Sequence, residues 1–377
     1  MIKTGGKIFV FLFLILLAGR TSLGIAQTGD SVKIAAIFAQ TGATAPMDKE
    51  AFEALRWTCQ RINHQGGVLG KPVKVLEYDN QSTSLGSLAA GKKAIRDGAT
   101  AVVGASWSAH SLAIAHLMQE AKIPMISPAS TNPALTKIGD YIFRVCASDE
   151  FSGKALADFA SERLNAKTVV VLTNANSQFS RDLAAFFIDQ FNKKGTVLWE
   201  GDYLQDASDF SQILEKVKSL QPEVVFVPGY PRDSGYILRQ AQNMGVKSIF
   251  LGADGWNYLM TEYAGSAVNG HYFSDLWHAG LPNPKSKAFL EEYNKDGFQV
   301  KISLAPLAYD SLMVIVNAIN KAGTLNTAAI RDAIAATKDY EGVTGNISFN
   351  QFGDPIKPIV ILKFDNNQPM YYMTIRK

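Results

Sequence analysis

The chain has 377 residues, 47% of them hydrophobic, with 37 basic against 34 acidic side chains and a formal net charge of +3. That length exceeds one ordinary core and points to two domains. Two cysteines are too few for a disulfide scaffold, and the near-neutral balance gives no reason to expect a nucleic-acid partner.

The basic excess sits at the start. Lys3 and Lys7 precede an unbroken apolar run from Ile8 to Ala18, and small residues follow at Gly24 and Ala26. This is the pattern of a cleavable secretory signal over residues 1–26, so export to the periplasm is expected. The apolar run is shorter than the ~20 residues a membrane span needs, and Arg20, Thr21 and Ser22 break it early, which argues against an uncleaved anchor. Leu16-Leu17-Ala18-Gly19 opens like a lipoprotein signal, but Arg20 stands where a lipid-bearing Cys would be required. Removal of the signal takes Lys3, Lys7 and Arg20 with it and leaves a formally neutral chain of 34 basic and 34 acidic residues.

Strands and helices then alternate. Val32 to Phe38 reads as a buried strand. Phe52, Leu55, Cys59 and Ile62 recur at helical spacing up to Gly66-Gly67. Cys59 falls on the apolar side of that helix and reads as a buried free thiol. Val73–Tyr78 is a strand, Leu88–Ile95 a helix, Ala101–Val103 a strand running into Gly104, Ser111–Ala121 a helix and Ile123–Ile126 a strand. The pattern restarts after Phe151, with strands at Val169–Leu172, Val197–Glu200, Val224–Val227 and Ile249–Leu251. Helices at Asp182–Lys193, Phe210–Leu220 and Ser234–Met244 separate them. Two successive sets of this kind imply two lobes, each a parallel sheet covered on both faces. Ligands of such sheets bind beyond the carboxyl ends of the strands.

Catalytic signatures are lacking. Neither standard glycine-rich phosphate loop occurs. Gly104-Ala105-Ser106-Trp107-Ser108 begins like a nucleophile elbow, but Ser108 replaces the closing Gly. His64, His110, His116, His271 and His278 show no metal-ligand spacing. An enzyme is therefore not expected, nor a metal or cofactor.

Three post-strand loops are unusual. In Gly104–Ser111 hydroxyls crowd a strand-to-helix turn, with Ser108 placed as an N-cap before free backbone N–H groups that suit a carboxylate. Ser127-Pro128-Ala129-Ser130-Thr131-Asn132-Pro133 is fixed by proline at both ends. Leu251-Gly252-Ala253-Asp254-Gly255-Trp256-Asn257 sets a carboxylate beside glycines and an indole. Asp254 reads as a helix cap or, if it faces a cleft, as a partner for an ammonium. Spacing alone leaves capping and binding open for all three.

The order of these loops is similar to that in the periplasmic leucine/isoleucine/valine-binding proteins of branched-chain amino-acid ABC transporters. The markers are Thr41-Gly42, Gly66-Gly67-Val68-Leu69-Gly70, Tyr78-Asp79, Pro128-Ala129-Ser130-Thr131, Tyr141-Ile142-Phe143-Arg144, Pro228-Gly229-Tyr230 and Gly252-Ala253-Asp254-Gly255. The resemblance implies a type I periplasmic-binding-protein-like fold, with two doubly wound lobes joined by three crossings. Lobe one would comprise residues 27–146 and 277–355, and lobe two 147–276 and 356–377. It also implies that Ser108, Ala129 and Thr131 hold a ligand's α-carboxylate, that Asp254 meets its ammonium where Glu is usual, and that Tyr230 walls the pocket. Met47 and Phe179 stand where the family's aliphatic binders often have Tyr, and Trp107 adds an indole. The side-chain pocket is therefore expected to be more apolar, aliphatic or aromatic in preference.

The implied partners are a small-molecule amino acid or related carboxylate and an ABC transporter permease, with the protein itself a monomer. Two other readings stay open. One is a carrier of a carboxylate without an amino group, such as an aromatic acid, which would depend on Ser108 but not on Asp254. The other is a ligand-sensing subunit.

Overall fold

The computed structural model describes residues 31–376. The expected signal over residues 1–26 lies outside them.

Lobe one is built on β1 (Val32–Phe38), β2 (Val73–Asp79), β3 (Ala101–Gly104), β4 (Met125–Ser127) and β5 (Ile142–Arg144). They form a wholly parallel sheet in the order β2-β1-β3-β4-β5. The crossover helices are α1 (Ala45–His64), α2 (Ser84–Arg96) and α3 (Ser108–Ala121). Alternation along β1 decides which helix covers which face. Ile34, Ala36 and Phe38 join the core that holds α1, whereas Ala35 and Ile37 join the one that holds Ala90 of α2 and Ile114 and Met118 of α3. The helix after β1 thus lies on one face and the helix after β3 on the other. The expected end of α1 at Gly66-Gly67 is observed. Gly67 has φ +76°, and a Cβ there would lie 2.0 Å from the carbonyl oxygen of Lys71.

Lobe two repeats the plan with α4 (Asp149–Asp158), β6 (Thr168–Asn174), α5 (Gln178–Phe191), β7 (Thr196–Tyr203), α6 (Ser211–Leu220), β8 (Val224–Phe226), α7 (Pro231–Met244), β9 (Ile249–Gly252), the short α8 (Met260–Ala264) and β10 (Tyr272–Asp275). Val169 and Val171 pack towards Leu183 and Phe187 of α5, and Val170 and Leu172 towards Leu214 of α6 and Ile237 of α7. Phe187 stacks on Phe226 at 4.1 Å between ring centres and is fully buried.

The chain then returns to lobe one as α9 (Pro284–Lys295), α10 (Leu304–Ala322), α11 (Thr327–Ala335) and the small hairpin β11 (Tyr340–Gly342) and β12 (Gly345–Ile347). It ends in β13 (Ile359–Asp365) and β14 (Gln368–Ile375) of the second sheet, whose order is β14-β13-β10-β9-β8-β6-β7. The architecture is the expected pair of doubly wound lobes joined by three crossings, but the second sheet is not wholly parallel. β13 runs antiparallel to β10, and β14 to β13. The reason is connectivity: after its excursion the chain re-enters beside β10 from the hinge side and needs only a tight turn to add β14. One continuous core runs through both lobes, from Ala36 and Val103 to Val171 and Leu251.

Candidate functional site

In each sheet the strand order reverses direction beside the first strand, between β1 and β3 in lobe one and between β6 and β8 in lobe two. The loops leaving those strands diverge onto opposite faces and leave a crevice. The two crevices face each other across one cleft, with about 660 Å³ of atom-free space, its open mouth included. All eight residues singled out from the sequence line it. Met47 opens α1, Trp107 and Ser108 come from the β3–α3 loop, and Ala129 and Thr131 from the loop after β4. Phe179 opens α5, Tyr230 precedes α7, and Asp254 follows β9.

The lobe-one side is bound together by hydroxyls. Gly104 passes so close to β1 that a Cβ would lie 2.4 Å from Ile37 O. The carbonyl of Ala105 accepts hydrogen bonds from Ser111 Oγ at 2.9 Å, Ser127 Oγ at 2.6 Å and Ser130 Oγ at 3.2 Å. Ser130 Oγ also reaches Ser106 O at 3.1 Å. These serines fasten the two lobe-one loops to each other. The fully buried Arg144 completes the clamp: its Nη1 donates to Ser130 O at 3.0 Å, its Nη2 to Thr136 Oγ1 at 3.1 Å and its Nε to Asp354 at 2.6 Å.

Ser108 is not the N-cap expected of it. Trp107 takes the extended cap position, Ser108 is the first helical residue, and its Oγ accepts from Asn132 N at 3.3 Å. The shift of one residue leaves the hydroxyl on the cleft wall, beside first-turn N–H groups that have no acceptor within the helix.

The lobe-two side is aromatic and acidic. Phe179 stacks on Tyr230 at 5.6 Å, and Trp107 meets Tyr230 edge-on at 5.1 Å from across the cleft. Asn132 Nδ2 donates to Asp182 Oδ2 at 2.6 Å, also between lobes, and Asn257 Nδ2 lies 3.8 Å from Met47 Sδ. Asp254 caps no helix, since α8 begins only at Met260. The loop carrying it is wedged against the one before Tyr230, so that a Cβ on Gly255 would lie 2.4 Å from Gly229 O. Although Asp254 is half-buried as a residue, its Oδ1 is covered and has no hydrogen-bond partner. Burial pushes its carboxyl well above the usual carboxylate range, and the nearby Asp149 and Asp275 push it further.

The cleft also takes Ser106, Gly255, Trp256, Asn257, Asp275, Leu276 and Ile302–Leu304, which the sequence reading did not select. The first four adjoin residues that it did. Asp275 ends a strand, Tyr272–Asp275, whose polar Ser274 masks its period. It is buried, accepts from Leu276 N at 2.6 Å, and burial raises its carboxyl to about 7. Among the described residues the lining therefore contains two carboxylates and no Lys, Arg or His. Cys59 and Cys146 are both buried free thiols.

A two-lobed α/β protein with a polar and aromatic cleft at paired switch points is the architecture of a small-molecule binder. The family model for periplasmic binding proteins matches residues 31–369, and the chain belongs to that family. A leucine-, isoleucine-, valine-, threonine- and alanine-binding protein of Pseudomonas aeruginosa is 29% identical over 343 residues, 90% of each chain. A leucine-binding protein of Thermotoga maritima superimposes with a TM-score of 0.86 at 33% identity, over 92% of this chain and 99% of the other. A branched-chain amino-acid transporter substrate-binding protein of Streptococcus pneumoniae, in complex with isoleucine, gives 0.87 at 30% identity, over 92% and 100%.

Proposed function

We propose that the protein captures a free amino acid with an apolar side chain between its lobes, outside the cytoplasm, and hands it to an ABC transporter permease. The amino-acid specificities of the relatives at 29–33% identity support this. The observation that carries it is Asp254: a covered carboxylate oxygen without a donor, in a cleft whose lining offers no cation. A ligand ammonium supplies the missing charge. Ser108, the backbone at Ala129 and Thr131 receive the α-carboxylate with neutral donors, while Met47, Trp107, Phe179 and Tyr230 surround the side chain. A carboxylate without an amino group would add negative charge to this lining and neutralise none, which disfavours the aromatic-acid reading.

The ligand touches both lobes, so it favours the closed arrangement by differential affinity. We place the lobe boundaries at 146/147, 276/277 and 355/356 and take the working unit to be a monomer. Calorimetry with a panel of L-amino acids tests the reading. A charge-assisted hydrogen bond contributes about 1.5–3 kcal/mol, so Asp254→Asn is expected to weaken binding by at least tenfold and roughly a hundredfold at the upper end. Binding of benzoate-type acids in place of amino acids, or an unchanged affinity in Asp254→Asn, would sink it.

A further inference from the structure

One acid close to the cleft does not touch it. Asp149 opens α4 and is fully buried, and neither of its carboxylate oxygens has a hydrogen bond of ordinary geometry among the described residues, although the Thr131 side chain lies close enough to act on it as a donor. Its backbone N–H donates to Thr131 O at 2.9 Å, which places it directly behind the second lobe-one loop. Together with Asp254 Oδ1, three carboxylate oxygens of two residues are thus shut away from water without such a bond.

The charged and titratable groups around the pair do not relieve it. Asp182 of α5 acts on Asp149, and Asp275 at the end of β10 acts on Asp254. The one cation that acts on Asp149 is Arg144 of β5, and its three donor nitrogens are already engaged by Asp354, Ser130 and Thr136. Cys146, in the first crossing, is held protonated, its thiol pushed up to about 12 by burial. Tyr230, ahead of α7, is pushed up by burial and stays neutral. Lys357 acts on Cys146 and Asp310 and is bonded to Thr344, which is in turn bonded to Asp310. Asp149 acts on Asp254, and two carboxylates in one low-dielectric region do not both ionise cheaply.

We propose that the empty cleft stores a proton between Asp254 and Asp149, and that the ammonium of the arriving ligand displaces it. The proposal rests on the amino-acid reading of the site. Burial supports it by raising Asp149 to about 7, against the opposing hydrogen bond of the Thr131 side chain and the charge of Arg144, with Asp182 adding. The exchange balances: a positive ammonium enters, one proton leaves for solvent, and the carboxylate it vacates becomes the counter-ion. The bound state then holds fewer protons than the empty one, so affinity rises with pH until the empty site is itself deprotonated. A ligand without an ammonium leaves the proton in place, and the cleft rejects it through the charge it adds. Asp149 acts here through Asp254 and not by contact.

Two measurements test this. The first is a carboxyl ¹³C NMR titration of the ligand-free protein, assigned with Asp254→Asn and Asp149→Asn. One carboxyl of the pair is expected to remain protonated at neutral pH. Two carboxyls that both titrate near the ordinary Asp value of about 4 would overturn the proposal whatever the ligand. The second is calorimetry with L-leucine in buffers of different ionisation heat. Release of about one proton at pH 7 is expected, with affinity rising by up to tenfold per pH unit between about pH 6 and 8. In Asp149→Asn the steep part of that curve moves to lower pH. Leucine binding with buffer-independent heat refutes the stored proton and leaves the amino-acid reading standing. Failure of every amino acid to bind refutes that reading, and the NMR titration still decides the proton.

Discussion

The two walls of the cleft solve the same problem in opposite ways. On lobe one the polar side chains of the two post-strand loops are uncharged, and three serine hydroxyls converge on one carbonyl, while the charged Arg144 and Asp48 behind them are bonded to the scaffold. On lobe two the key group is charged when ionised and has an unpartnered oxygen. On the proposed reading, the uncharged loops receive the anionic head of the ligand and the acidic wall is completed by its ammonium. On that reading the contrast lets one cleft take both ends of a zwitterion without a lining arginine or lysine.

The largest test of this contrast attacks the scaffold of the neutral wall. Arg144→Met breaks a buried ion pair and takes a donor from Ser130 O and from Thr136 Oγ1, which should cost about 3–5 kcal/mol of stability, read as a lower urea midpoint. A midpoint within experimental error of wild type would mean the clamp is dispensable. The next separates the walls. Ser108→Ala removes one neutral hydrogen bond, about 1 kcal/mol, or roughly fivefold in affinity. Its effect should stay well below that of Asp254→Asn. Equal losses would erase the asymmetry. The smallest concerns the contact between walls. Asp182→Ala removes the acceptor of the Asn132 bond across the cleft, and ligand affinity should fall by roughly threefold. Small-angle scattering should show a more open ligand-free protein, and an unchanged profile would remove that bond from the closure equilibrium.

Much of this was legible in the chain. The apolar runs at 34–38, 169–172 and 224–227 mark buried parallel strands because both faces are covered and no polar residue interrupts them. The three post-strand loops then follow from the rule that such sheets bind at their carboxyl ends. What was not legible has physical reasons. β13 and β14 belong to a sheet whose other strands lie far back in sequence, and β14 alternates exposed and half-buried side chains, so neither announces its neighbours. Ile302–Leu304 reach the cleft from a segment that follows no strand of lobe one. Asp149 looks like an ordinary first-turn acid, favourable to the helix dipole, with Ser148 as the cap. Only tertiary burial takes its carboxyl out of water.

The antiparallel end of the second sheet has a consequence for how the molecule is made. β10 gains its outer partner only from residues 359–365 and that strand in turn from 368–375. Until those residues are available, β10 is an open edge able to pair with a foreign strand. The second sheet is therefore complete only once residues 359–375 have been made, after the returning segment of lobe one, and this is a long-range pairing of the kind that slows folding.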